Sequence, residues 1–371
     1  MDMLHTLYAD YTVRIIAGGT LILGMLSGLL GVFAVLRKQS LLGDAVAHAS
    51  LPGIALAFLI SGMKSQLWLL SGAAIAGWIA SLWITGIIKN TRIKSDSALA
   101  MVLAVFFGIG LVLLTYIQKI PDANQAGLET FLFGQAATLV RRDVINMAVI
   151  SAMVLVVLLL FWKEFKLITF DPQFARSAGF RVKFLDILLN TLIVVAIVLG
   201  LQAVGVILMS ALLIAPAAAA RQWTNRLGTM AVLAAVFGAM AGLTGTVVSA
   251  SGSNISTGPV IVLSAIGLVA ISFVFAPGRG LLAVYLLRLK SRSGIMHTRV
   301  LARMYQVSMN HRQPEHRHSL SILKSVPGYS RKTIKYLQEN NYIDVDAGQQ
   351  WCLTDKGVEA ARQLKMDNGI N

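Results

Sequence analysis

The sequence contains a single cysteine, Cys352, in 371 residues. An internal disulfide is therefore excluded, and so is a thiolate metal cluster. Charge is also scarce. Asp, Glu, Lys and Arg make up 13% of the chain, where a soluble domain carries about a quarter. With hydrophobic residues at 56%, this composition excludes an ordinary soluble protein and reads as a membrane protein. No Gly-x-x-x-x-Gly-Lys-Ser/Thr run occurs, so the chain is not expected to hydrolyse ATP itself. The N-terminus has Asp2 and His5, no basic start and no clear small-residue cleavage site, so no cleavable signal peptide is expected. Acidic residues are the scarcer charge, 17 against 32 Lys and Arg. In a bilayer protein that excess belongs mainly to cytoplasmic loops and does not by itself signal nucleic acid.

What the chain does have is a series of apolar runs. A spanning helix needs roughly 20 apolar residues. Tyr11–Leu36, Leu41–Ile60, Leu67–Ile88, Ser97–Tyr116, Val144–Trp162, Met230–Ser249 and Gly258–Ala276 qualify. Leu185–Gly200 and Val204–Ala220 read as a hairpin with almost no loop, and Asn124–Leu139 as a short partial helix or loop. The total is about nine spans, or eight if the hairpin or the second segment is irregular. Placing the basic clusters at 37–38, 89–94, 163–183, 221–226 and 288–292 inside gives an outside N-terminus and an inside C-terminus, with Arg141 and Arg142 as exceptions. Gly24, Gly28 and Gly31 share one helical face, as do Gly238, Gly242 and Gly245. Such faces let helix backbones pack closely in lipid.

Within this apolar background one stretch carries chemistry: Leu42-Gly43-Asp44-Ala45-Val46-Ala47-His48-Ala49-Ser50-Leu51-Pro52-Gly53. Asp44 and His48 are four residues apart, so on a helix they share a face one turn apart. Ionisable groups at membrane depth are costly and are by default candidates for an ion pathway. A helix cap and a packed core histidine are the plain structural alternatives. A carboxylate and an imidazole offer one oxygen and one nitrogen to a divalent cation. One chain supplies only two ligands; two copies meeting around a pathway would supply an Asp₂His₂ set.

Two further segments stand out. Phe170-Asp171-Pro172-Gln173-Phe174-Ala175-Arg176-Ser177-Ala178-Gly179 predicts a short helix between two spans, capped by Asp171, opened by Pro172 and closed at Gly179. Gly252-Ser253-Asn254-Ile255-Ser256-Thr257-Gly258-Pro259 is a polar, helix-breaking run near the outer end of the last span.

The wording Gly-Asp-Ala-x-Ala-His-Ala-x-Leu-Pro-Gly resembles the signature of the permease subunits of bacterial ABC importers for manganese, zinc and iron. The resemblance runs from about Tyr11 to Ala283. It implies a type II importer-like permease that works as a dimer, as a homodimer or with a close paralogue, in the bacterial inner membrane, with Asp44 and His48 lining the metal pathway. It also implies an ABC ATPase docking on a coupling helix at Asp171, Pro172, Ala175 and Gly179, and an extracytoplasmic metal-binding protein. Asn254, Ser256 and Pro259 match a broken helix beside the external gate, though a plain turn fits them equally. No permanently bound cofactor is implied; manganese, zinc or iron is cargo. The lack of thiolate ligands leans toward manganese or iron.

From about residue 289 the composition changes: residues 288–371 hold 14 Lys and Arg against 7 Asp and Glu, with no run long enough to span. Helices are expected at Arg292–Asn310, Leu320–Val326 and Arg331–Asn340 after the cap Ser330, and Thr354-Asp355-Lys356-Gly357 leads into a last helix through Leu364. A small hairpin is expected from Tyr342–Val345 and Gln350–Leu353. The order is that of a winged helix-turn-helix. Asn-Asn-Tyr-Ile-Asp and Leu-Thr-Asp-Lys-Gly within Leu337–Gly357 are similar to the DNA-binding domain of metal-dependent repressors of the diphtheria-toxin-repressor type. Arg331, Lys332 and Lys335 are then candidate contacts for nucleic acid, anionic lipid or a protein partner. A protein-contact or regulatory role is favoured over DNA. His311, His316 and His318, beside Glu315, are a weaker candidate metal cluster; a hydrated loop is the preferred reading.

The expected architecture is an all-α polytopic membrane bundle in residues 1–288 and a small α+β winged-helix domain in residues 289–371, on the cytoplasmic side. Two other functional classes compete with the permease. One is a proton-coupled secondary transporter, with Asp44 and His48 relaying protons. The other is a membrane-tethered, metal-responsive DNA-binding regulator.

Overall fold

The computed structural model describes residues 10–62, 65–120, 134, 136–251, 255–277, 280–310, 317–323, 326, 329–346, 348 and 350–368. The chain divides into two compact units, Met1–Gly280 and Leu281–Asn371.

The first unit is helical. Its elements are α1 (Tyr11–Leu36), α2 (Leu42–Ser61), α3 (Gln66–Asn90), α4 (Ser95–Gln118), α5 (Arg141–Leu160), α6 (Trp162–Phe170), α7 (Pro172–Ser177), α8 (Val182–Ala203), α9 (Val206–Trp223), α10 (Leu227–Ser251) and α11 (Thr257–Phe275). Eight of them are long and apolar enough to cross a membrane: α1 to α5, α8, α10 and α11. The ninth run expected from the sequence forms α9, an 18-residue helix ending near Arg221 and packed against α1, α2, α10 and α11. It follows α8 with almost no loop, through Gly205 at φ 90°, a backbone state that glycine adopts without penalty. Residues 124–133 of the expected partial helix lie outside the described residues; Ala136–Thr138 forms one 3₁₀ turn.

The motif helix α2 lies inside the bundle. Together with α1 and α8 it is mostly enclosed by protein, whereas α4, α5 and α11 carry ranks of exposed apolar side chains. Val105, Ile109 and Val112 on α4 and Val149, Met153 and Val156 on α5 are examples, as helices facing lipid require. The glycine faces are the packing seams. A Cβ on Gly28 would fall 2.2 Å from the carbonyl oxygen of Ala234 on α10, and one on Gly242 would fall 2.4 Å from that of Thr20. A Cβ on Gly245 would meet Ile261 Cα on α11 at 2.4 Å. Beside this seam the Thr20 and Thr246 hydroxyls hydrogen-bond at 2.9 Å.

In the second unit, α12 (Leu281–Asn310) precedes β1 (His318–Ser319), a 3₁₀ turn at Leu320–Leu323, α13 (Arg331–Glu339), β2 (Ile343–Val345), β3 (Gln350–Leu353) and α14 (Asp355–Asn368). The sheet is antiparallel in the order β1-β3-β2. Three details differ from the sequence expectation. The first helix begins earlier, at Leu281. The segment expected as a helix from Leu320 is a single 3₁₀ turn, and a short strand at His318 completes the sheet. Trp351, Leu323, Met304 and Leu337 form the centre of its core. The Asn-Asn-Tyr and Thr-Asp-Lys-Gly words have a structural use here. Asn341 takes φ 57°, Thr354 Oγ1 donates to the Asn341 carbonyl at 2.6 Å, and Lys356 Nζ donates to that of Asn340 at 3.2 Å. A Cβ on Gly357 would lie 2.0 Å from the Tyr342 carbonyl oxygen. These residues knit the end of α13 to the start of α14.

Candidate metal site

Asp44 and His48 both lie on α2, in its first two turns. From Leu42 to Ala55 every residue is buried except these two. They form a narrow polar opening on an otherwise sealed helix. The sealing comes from neighbours on other faces. Gly43 packs on Ser210 of α9, where a Cβ would meet Ser210 Cα at 3.1 Å; Gly53 packs on Gly72 of α3, where it would meet a carbonyl oxygen at 2.1 Å. Gly110 of α4 lies against Leu51 and Pro52. Small residues on α2 and on its neighbour α4 thus bring three helices close to α2, and its two ionisable residues are what remains accessible.

Asp44 sits in the first turn, where the positive end of the helix dipole favours a carboxylate. No ion pair among the described residues holds it, His48 included. The His48 ring stands edge-on to Phe107 of α4, with centroids 4.8 Å apart and planes at 74°. His48 Nδ1 is buried with no hydrogen-bond partner. A buried polar atom left unpaired costs roughly 1–3 kcal/mol, and a ring nitrogen in that condition suits coordination of a cation. Pro52, inside α2, has no N–H, so the helix gives the His48 carbonyl no donor from the following turn. Among the described residues no group of three or more His, Cys, Asp or Glu assembles. One chain presents two candidate side-chain ligands, Asp44 and His48.

The other sequence candidates are distributed elsewhere. Asp171 caps α7, accepting from the Phe174 N–H at 2.8 Å; Pro172 is the first residue of the helix and Ala175 is buried beneath it. Gly179 follows at φ 86° with open space around it. The expected short helix is formed, with Phe170 and Phe174 exposed on it and beside it. Ser256 occupies the N-cap position of α11 and Pro259 lies in its first turn, where a missing N–H is tolerated. Ser249 of α10 ties this end down, donating to the Ile255 carbonyl at 2.8 Å and sharing a 3.0 Å hydrogen bond with Thr257. Asn254 lies outside the described residues, as do His311, Glu315 and His316. Arg331, Lys332 and Lys335 are exposed on α13, with Lys335 paired to Glu339 at 3.7 Å.

In the first unit the sequence reading missed a charged cluster. Asp186, near the start of α8, accepts from Arg37 at the end of α1 and from Lys89 in the last turn of α3, the latter at 2.7 Å. The three residues are up to 149 positions apart, and only the fold brings them together.

The profile of the ABC 3 transport family matches residues 9–276. The chain belongs to the ABC 3 transport family. Among curated relatives, the chain is 51% identical over 282 residues to the zinc transport system membrane protein TroC of Treponema pallidum (strain Nichols), covering 76% of this chain and 95% of the relative. It is 45% identical over 353 residues to the manganese transport system membrane protein MntC of Bacillus subtilis (strain 168), covering 93% and 79%. Among solved structures it is similar to PsaBC from Streptococcus pneumoniae in complex with Fab, with a TM-score of 0.66, 32% identity, and coverage of 78% of this chain and 98% of that one. The family match spans the first unit, and the MntC match reaches into the second.

Proposed function

We propose that the chain is the membrane-spanning permease subunit of an ABC importer that carries a divalent transition metal into the cytoplasm, with manganese favoured and zinc or iron also fitting the ligand chemistry. The observation that carries this reading is the pair Asp44 and His48: one helix face, one turn, the only accessible residues between Leu42 and Ala55, with His48 Nδ1 unpaired. Support comes from the family membership and from relatives named for zinc and manganese transport.

In this reading Asp44 binds metal ionised and His48 neutral. Two side-chain ligands per chain cannot complete a first shell, so a second permease copy, identical or paralogous, contributes the matching pair. Phe107 holds the His48 ring upright through its edge contact. The energy comes from a separate ATPase that docks at the Asp171–Gly179 segment, where Phe170 and Phe174 offer exposed aromatic anchors. An extracytoplasmic protein delivers the ion, past a gate that includes Asn254, Ser256 and Pro259. The second unit is a cytoplasmic winged helix with a regulatory or protein-contact role through Arg331, Lys332 and Lys335.

The test is cellular manganese, zinc and iron content by mass spectrometry, in cells making the chain with its ATPase. The expected outcome is one metal raised by the wild type and not by His48→Ala or Asp44→Ala. Normal accumulation by both variants, at equal membrane abundance, would make the two residues structural and defeat the assignment.

A further inference from the structure

A polar cavity of about 360 Å³ opens among the ends of α1, α3, α7 and α8. That volume is in the range of small-molecule sites. Four cationic side chains line it, Arg37, Lys38, Lys89 and Arg176, against one carboxylate, Asp186. Arg37 and Lys89 both pair with Asp186, which cannot neutralise two cations. Lys38 and Arg176 have no ion pair among the described residues. Lys38 is held at φ 58°, a left-handed state uncommon outside glycine and asparagine. Two acceptor oxygens in the lining, Gln39 Oε1 and Asn190 Oδ1, are buried without hydrogen-bond partners.

We propose that this cavity binds a phosphate group. The excess positive charge selects an anion, and guanidinium and ammonium groups converging from separate elements suit phosphate oxygens. The unpaired acceptors add a second criterion: the ligand carries hydroxyl donors beside its charge, as a phosphoglycerol headgroup or a protonated phosphate does. Both the apolar edge of the lining, Leu36, Ile88 and Ile168, and the concentration of basic residues on this side fit an anionic lipid headgroup as one source; soluble phosphate is the other. A bound phosphate would bridge α7, through Arg176, to the turn that leads into α2.

The experiment uses the purified full-length chain without ATPase or metal, so its result does not depend on the transport reading. Unfolding midpoints are followed during titration with sodium phosphate against sodium chloride at matched ionic strength, in neutral detergent. They are also followed in phosphatidylcholine nanodiscs containing increasing phosphatidylglycerol. Native mass spectrometry identifies any bound lipid. The comparison variant is Lys38→Asn with Arg176→Gln; both sites are exposed, and asparagine tolerates the left-handed backbone. Each lost cation should weaken binding about five-fold, so the double variant should need roughly twenty-five-fold more ligand. Saturation by phosphatidylglycerol alone identifies a lipid headgroup, and saturation by phosphate alone a soluble ligand; either supports the site. A wild type that responds to neither, or a double variant that responds as the wild type does, overturns it.

Discussion

Gly24 and Gly238 touch backbone to backbone. A Cβ placed on Gly24 would lie 2.1 Å from the Gly238 carbonyl oxygen, and one placed on Gly238 would lie 1.9 Å from that of Gly24. Helices in lipid gain nothing from burying apolar surface against each other, so close contact of this kind is a principal source of cohesion. The pair therefore fixes the distance between α1 and α10, and through α1 the placement of the turn into α2, the helix of the candidate metal site.

Gly24→Leu or Gly238→Leu should destabilise the purified protein by about 1–3 kcal/mol or more, because neither backbone can retreat without disturbing neighbouring seams. Gly228→Ala and Gly267→Ala, where an added Cβ meets nothing within 4 Å, should leave the unfolding midpoint unchanged or slightly raised. Equal effects of the two kinds of substitution would show that the seam is not close-packed in the bilayer.

Much of this was legible in the sequence, for particular reasons. The spans follow from apolar run length, the glycine seams from helical spacing, and the α7 helix from an Asp-Pro start. Asp44 and His48 were conspicuous because charge is so rare around them. What a linear reading does not carry is long-range company. Nothing near Asp186 in sequence announces Arg37 and Lys89, and nothing near His48 announces Phe107. The motif also hid a division of labour, since its glycines pack against α3 and α9 and its Leu51 and Pro52 against Gly110 of α4, while only Asp44 and His48 stay accessible. In the tail, His318 lies beyond the expected helices and yet pairs as a strand with Trp351, a match set by the sheet rather than by local propensity.

Metal uptake should fall as external pH is lowered from neutral, because a protonated imidazole cannot ligate a cation. Protons compete with the metal at His48, so the loss should appear as a raised KM for the metal before maximal rate declines. Uptake of radiolabelled manganese between pH 5 and 7 checks this. A flat profile would count against a histidine in the pathway.

The hairpin of the second unit should also respond to acid. The Gln350 and Gly348 N–H groups and Arg317 hold the Asp346 carboxyl below its usual range. A lowered folded value means that the ionised form supports the fold at neutral pH. Its contribution is complete above the ordinary carboxylate range and is lost as pH falls through the lowered value. Hydrogen exchange of residues 343–353 should therefore accelerate on acidification, beyond the intrinsic change in rate. Asp346→Asn should bring that acceleration to neutral pH; protection identical to wild type would mean the turn is held by backbone contacts alone.

The Asp186 cluster gives the sharpest stability test, because its members differ in enclosure. The side chains of Arg37 and Asp186 are 11% and 17% exposed, and that of Lys89 is 34% exposed. Exposed pairs contribute up to about 1 kcal/mol, and breaking a fully buried one costs about 3–5 kcal/mol. Asp186→Asn leaves two cations facing each other and should cost about 1–3 kcal/mol. Lys89→Gln removes only the outer partner and should cost less than 1 kcal/mol, since Arg37 still balances the carboxylate. Arg37→Gln added to Asp186→Asn should recover part of the loss, giving a coupling energy that single substitutions cannot mimic. Denaturation of the wild type, Arg37→Gln, Asp186→Asn and the double variant measures it. Because Arg37 ends α1 and the next turn enters α2, Asp186→Asn should also lower metal uptake, and the Arg37→Gln second change should not restore it. Full additivity of the two substitutions would mean that the charges act separately, each screened by water, and that the ends of α1, α3 and α8 are held together by packing.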